Sequence, residues 1–313
     1  MLARLLNSPR KLVKRTRQLL HFVSHRAEHA EYLHVIRMAR QAGVASDDKL
    51  IDLKYLGVYL SEFMNTEARR QILMHHYGFL TRKITDPRLG ARWTTGATLW
   101  ERRDEALGHA FNIVVEQSAL SPMEGESQLR FTMGDLTLCT LTFSFLRGRD
   151  INLPHGEVIF IGGVQGGVDC REQIRMAAKS NGEIVPNAML LVASKALAQA
   201  MGIGYIVGVS SDGQAAMGYA GEKISLNYDA MWQEAGAIHT DNGYFVVVPG
   251  ALEKPLDAIR SKHRTRTLRK RQLKTEINAE IQKRVRELFG LQDESPWNNH
   301  PIASTTPTQP LRQ

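Results

Sequence analysis

Leu136-Thr137-Leu138-Cys139-Thr140-Leu141-Thr142-Phe143 is the stretch from which the fold is read. Apolar and small polar residues nearly alternate in it, which is the period of a strand rather than a helix. Gly134-Asp135 stands directly before it and suits a tight hairpin turn. Gln128–Met133 then becomes its antiparallel partner, and Phe111–Val115 reads as a further strand of the same kind.

Upstream of about Leu99 the period is helical. Leu12, Thr16, Leu19 and Val23 share one face of a helix predicted over residues 10–42, with Gly43 as its stop. A second helical stretch surrounds Leu50–Phe63. A third follows Thr66, whose hydroxyl is expected to cap Glu67–Leu80. Residues 81–96, with Pro87, Gly90 and Gly96, read as a connection.

Downstream, Glu157–Ile161 is a strand. Asp169 and Glu172 fit a capping box for a helix over Asp169–Ser180, closed by Asn181-Gly182. Pro186 opens another helix with Leu190, Ala193, Leu197 and Ala200 on one face. Ile203–Ser210 is apolar throughout, as a strand buried on both faces would be. Tyr228–Glu234 is a short helix and Tyr244–Val248 a last strand. The sequence therefore predicts an α+β protein. A helical segment spans 1–85, a mixed-sheet core 86–250 and a basic helix 251–290; 291–313, rich in Pro, Thr, Ser and Gln, is a disordered tail.

Composition limits the function classes. Of 313 residues, 43% are hydrophobic and 23% charged, which suits a globular core and rules out a wholly disordered chain. Two cysteines, Cys139 and Cys170, make no disulfide framework and no metal spacing. Arg10, Lys11, Lys14, Arg15 and Arg17 interrupt every apolar run of a secretory leader, and no run approaches a membrane span. A cytoplasmic protein without a transmembrane segment is expected. Net charge is +8, unevenly placed: residues 1–26 hold seven Lys/Arg and no acid, and residues 254–274 hold nine against Asp257 alone. The remainder of the chain is acidic.

Five stretches in order carry a resemblance: IFIGGVQGG at Ile159–Gly167, the helix opened by Pro186, GIGYIVGVSSDGQA at Gly202–Ala215, NYDAMWQEAGA at Asn227–Ala237 and NGYFVVVP at Asn242–Pro249. The chain resembles the VirK/YbjX family of bacterial virulence-associated proteins, and more weakly so over Leu50–Leu146. It departs from the family pattern at Val185-Pro186-Asn187, where relatives carry Arg-Pro-Lys. It departs again at Ser211–Gln214, where they carry an Asn and a His, which marks it as a VirK-like branch. The resemblance implies an accessory role in virulence and envelope functions, including surface presentation of outer-membrane proteins and tolerance of cationic antimicrobial peptides. The implied partner is another protein of envelope biogenesis. The strand–helix–helix–strand–helix–strand order also resembles the acyl-CoA N-acyltransferase fold, in which a strand splays from its neighbour and amides at a helix start bind the cofactor pyrophosphate. Asn181–Pro186 lacks that fold's Arg and glycines, and the sequence specifies no cofactor.

Four candidate sites follow. Gly162, Gly163, Gln165, Gly166 and Gly167 lie between a strand and a helix start, where backbone amides approach anions. The spacing is neither a dinucleotide fingerprint nor a P-loop, and a β-bulge with a tight turn is the structural alternative. For acyl transfer, Glu183, Asp229 or Glu234 would be the base, and Tyr219 or Tyr228 the proton donor. His21, His25 and His29 recur at i, i+4, i+8, but no carboxylate completes a metal set, so no metal is expected. Arg264, Arg266, Arg269, Lys270 and Arg271 form a cationic run suited to an anionic membrane surface. Nucleic acid is disfavoured as partner, because the run has no aromatic residue for base stacking.

Overall fold

The computed structural model describes residues 24–106, 108–118, 123–153, 156–215, 226–251 and 255–291. The first half of the helix predicted over 10–42, His21, Tyr219 and the tail after 291 lie outside the described residues.

The described chain opens with α1 (Arg26–Gln41), a 3-10 helix (Lys49–Leu56), α2 (Thr66–Lys83) and α3 (Pro87–Thr95). Strands β1 (Ala97–Asp104), β2 (His109–Gln117), β3 (Ser127–Met133), β4 (Leu136–Arg147) and β5 (Glu157–Gly166) then form an antiparallel meander. Helices α4 (Arg171–Ser180) and α5 (Pro186–Ala200) cross over to β6 (Tyr205–Val209), which is parallel to β5. After α6 (Tyr228–Glu234) come β7 (Ile238–His239) and β8 (Tyr244–Val247), both antiparallel additions, and then α7 (Ser261–Phe289). The eight strands make one mixed sheet in the order β1-β2-β3-β4-β5-β6-β8-β7. This is the α+β architecture expected, with the helical segment before the sheet and the basic helix after it.

β4 is the centre of the core. Leu138 to Leu146 are all buried, so this strand is covered on both faces despite lying in an antiparallel run. α2 and α5 both pack on it. Phe145 meets Phe79 of α2 (ring centroids 4.7 Å apart) and Trp93 of α3 (6.2 Å). α7 buries Ile277, Ile281, Val285, Leu288 and Phe289 along one stripe, against α5, β1 and α3. Phe289 sets its edge on Trp93 at 5.2 Å.

Local readings needed four corrections. Residues 81–96 contain helix α3, not only a connection: the Asp86 side chain accepts from Arg88 N–H and Pro87 sits in the first turn, where it costs no hydrogen bond. Asn65, not Thr66, caps α2 by accepting from Ala68 N–H. The stretch around Leu50–Phe63 yields a single 3-10 helix that ends at Leu56. α4 begins at Arg171 with Cys170 as an N-cap that makes no side-chain cap bond, and Asp169 stands at φ +53° instead of capping. There the Gly167 N–H is tied to Leu138 O at 2.9 Å, which extends the β4–β5 ladder and delays the helix start.

Candidate functional site

The glycine run lies inside β5. Thr142 pairs with Gly163 and Phe143 with Ile161, which leaves Gly162 as the extra residue of a β-bulge. The bulge makes room for Glu124, which is fully buried. A Cβ on Gly162 would lie 2.3 Å from Glu124 O, and one on Gly163 would lie 2.0 Å from Glu124 Oε2. Both positions therefore require glycine for close approach, not for backbone freedom.

Two amides meet the Glu124 carboxylate. Gln214 Nε2 donates to Oε1 at 2.8 Å and Gln165 Nε2 to Oε2 at 2.9 Å. A buried carboxylate tolerates removal from water only with such partners. Segment 60–62 closes over the group: Leu60 N–H donates to Met123 O at 2.7 Å, Glu62 N–H to Gly213 O at 3.0 Å, and Ser61 bridges Gln214.

This knot sits where β5 and β6 part. Their parallel pairing runs from Val158–Tyr205 to Ile161–Gly208, while β5 continues to Gly166 and β6 stops at Val209. Tyr228 fills the widening gap. Its hydroxyl accepts from Val164 N–H at 2.8 Å and donates to Val164 O at 3.1 Å, standing in for the missing strand. Burial, reinforced by the Glu124 charge, pushes the Tyr228 phenol well above its ordinary range. Trp232 of α6 lies against Gly208 and donates its Nε1–H to Val209 O at 2.9 Å.

The other sequence candidates are dispersed. Gly166 is exposed with open space about it, and a Cβ on Gly167 would meet Thr137 O at 2.4 Å. Asp229 accepts from Ser211 N–H at 2.9 Å and holds the turn after β6. Glu234 is exposed. Glu183, at φ +61° in the α4–α5 turn, pairs with Arg266, and its carbonyl accepts from Lys270 Nζ at 2.8 Å. Two features read separately in the sequence, a base candidate and the cationic run, thus meet across α7. Burial and the neighbouring Arg266 charge lower the Lys270 pKa. Arg264 turns back to Ile259 O at 2.9 Å, and Arg269 is exposed. His25 and His29 face different surroundings: His29 is buried and bonded to Tyr55 Oη at 3.0 Å. Among the described residues no cluster of three or more His, Cys, Asp or Glu side chains is placed to hold a metal, and no helix is long and apolar enough to cross a membrane.

Sequence reasoning missed Glu124 altogether. Its amide partners are 41 and 90 residues away, so no local spacing announces them. The one available signal was the pair Gly162-Gly163 inside a strand, which marks a close approach.

The fold and this knot define an α+β protein in which one mixed sheet is locked by a buried carboxylate at the parting of the parallel strand pair β5–β6, and from which a cationic helix extends. The chain belongs to the family described as Protein of unknown function (DUF535), whose model matches residues 7–283. That assignment is consistent with the VirK/YbjX resemblance. No curated protein and no solved structure matches the chain.

Proposed function

We propose that this chain is a VirK-like accessory protein that works at the cytoplasmic face of an anionic membrane, in support of bacterial envelope and virulence functions, and that it docks there through the first half of α7. The observation that carries this reading is the exposure of that half. Every residue from Ser261 to Arg266 is exposed, as are Leu268 and Arg269, and the apolar stripe of α7 begins only at Ile277. Lys262, Arg264, Arg266 and Arg269 therefore meet solvent, and Glu183 pairs with Arg266. Juxtamembrane basic residues contribute about 1 kcal/mol each near an anionic leaflet, with a range of one Debye length.

The test is flotation with vesicles of phosphatidylglycerol and phosphatidylethanolamine against purely zwitterionic ones. Binding is expected to the anionic vesicles alone and to weaken steeply with salt. Lys262→Gln, Arg264→Gln and Arg269→Gln together should abolish it while leaving the Glu183 contacts in place. Equal binding to both vesicle types, or preference for an RNA over the vesicles, would discard this reading.

A second reading is favoured by the parallel β5–β6 pair with its helical crossover. Open α/β sheets bind ligands beyond the carboxyl ends of such strands, and an acyltransferase-like topology would use that gap for an acyl or aminoacyl donor. The occupation of the gap by Tyr228, Gln214 and Glu124 weighs for the first reading. Tyr228 spends its proton on Val164, and Glu183 faces α7.

A further inference from the structure

The 3-10 helix Lys49–Leu56 stands off the end of β2 and the approach to β3, leaving a cleft of about 760 Å³. That lies within the range of pockets that hold small organic ligands. Its walls are largely apolar, with Leu50 and Leu53 left 76% and 53% exposed at the mouth and Met123 deeper in. Its floor holds the buried Glu126 carboxylate, which takes hydrogen bonds from Lys54 and from the Tyr77 hydroxyl.

The hydrogen-bonding inventory of the cleft is lopsided. Each of its side-chain acceptor groups already has a donor: Asp48 Oδ1 takes Leu50 N–H at 2.9 Å, Gln117 Oε1 takes Ser46 N–H at 3.0 Å, and the two Glu126 oxygens take one hydrogen bond each, from Lys54 and Tyr77. Its donors are not all used. An ammonium carries three N–H groups, and Lys54 gives one to Glu126 while lying 5.2 Å from the Tyr59 ring centre. Lys49 is exposed on the same wall. The Ser118 hydroxyl, shielded from solvent, has no hydrogen-bond partner among the described residues. The complement of such a site is an acceptor-only head on an apolar body.

We propose that this cleft binds a small amphiphilic carboxylate, with the carboxylate held by Lys54, Lys49 and Ser118 and the alkyl body laid along Leu50, Leu53 and Met123. The inference is independent of the vesicle reading, because it uses none of the α7 cations.

Calorimetric titration of the full chain with monomeric decanoate, decanamide and acetate tests it. Decanoate should bind at least about tenfold more tightly than either of the others, since decanamide lacks the charge and acetate the body. Leu53→Asp and Lys49→Glu, both at exposed positions, should each lower decanoate affinity severalfold without moving the thermal unfolding midpoint. Arg264→Gln with Arg269→Gln should leave it unchanged. Equal affinity for decanamide would overturn the proposal. So would indifference to both cleft variants, or loss of binding in the α7 variant, which would reassign the decanoate to the basic helix.

Discussion

His76 accepts the backbone N–H of Phe145 through Nδ1 at 3.1 Å, and its ring stacks on the ring of the same residue with centroids 5.5 Å apart. The helix α2 is thereby fastened to the central strand by a ring that must be unprotonated at Nδ1. Burial first, then the neighbouring Lys54 and His75, hold its pKa well below the ordinary 6.5.

A pH dependence of stability follows. The unfolded chain takes a proton on this imidazole near pH 6.5, and the folded chain refuses it. The stabilisation is complete above that pH and falls as pH drops below it, by up to about 1.4 kcal/mol per pH unit. Urea unfolding at pH 7.5, 6.5 and 5.5 measures the slope. His76→Asn, which keeps an acceptor near the Nδ1 position but does not titrate, should flatten it. An unchanged slope in that variant would show that another group is responsible.

Tyr228→Phe should destabilise the protein by about 1–3 kcal/mol, because it strands both the N–H and the carbonyl of Val164 in a buried gap. The volume of the ring is kept, so the loss reports the hydroxyl alone. Chemical denaturation with an unchanged m-value checks it; a variant as stable as the parent would mean that water replaces the phenol.

Gly208→Ala should cost about 1–3 kcal/mol by overpacking, since its Cβ would fall 2.0 Å from Trp232 Cζ2. Gly208 is not among the glycines at positive φ, so the penalty is steric rather than conformational. The double variant with Trp232→Phe should lose less than the sum of the two single losses. Additive losses would disprove the contact.

Cys139 and Cys170 are both free and buried, and burial pushes the Cys139 thiol up to about 12. A thiol so held is not a nucleophile at neutral pH. Iodoacetamide should leave Cys139 unmodified in the native protein and modify both thiols in denaturant. Rapid native labelling of Cys139 would show that the β4–β5 region opens.

Six of the eight described strands were legible because their signals are local; β1 and β7 were not read from the sequence. Gly134-Asp135 between two alternating runs gave the β3–β4 turn, and Gly134 takes the positive φ, +57°, that such a turn asks for. α3 was passed over because Pro87 and Gly90 resemble loop residues. In the structure Pro87 occupies a first turn, and Gly90 is needed because a Cβ there would lie 2.2 Å from Ala42 O. The Asp169 capping pattern misled because the tie of Gly167 to β4 outweighed a local cap. The Glu124 knot was illegible for a different reason: it joins residues from segments 60–62, 124, 163–165, 214 and 228, and only the folded sheet supplies that proximity. Likewise the pairing of Glu183 with Arg266 spans 83 positions of chain, and charge patterning alone cannot choose a partner at that range.

The position of α7 in the chain has a consequence for synthesis. The eight described strands and α1 to α6 leave the ribosome before residues 277–289, yet those residues cover α5, β1 and Trp93. Every described strand of the sheet has thus been made while the segment that covers one apolar flank has not, and the same helix that closes it carries the cationic run only a few turns earlier. The interval in which the strands are made but uncovered is set by the elongation rate over these last turns. It is in that interval that the protein is most open to association with other nascent chains, and slower translation through α7 should lower its soluble yield.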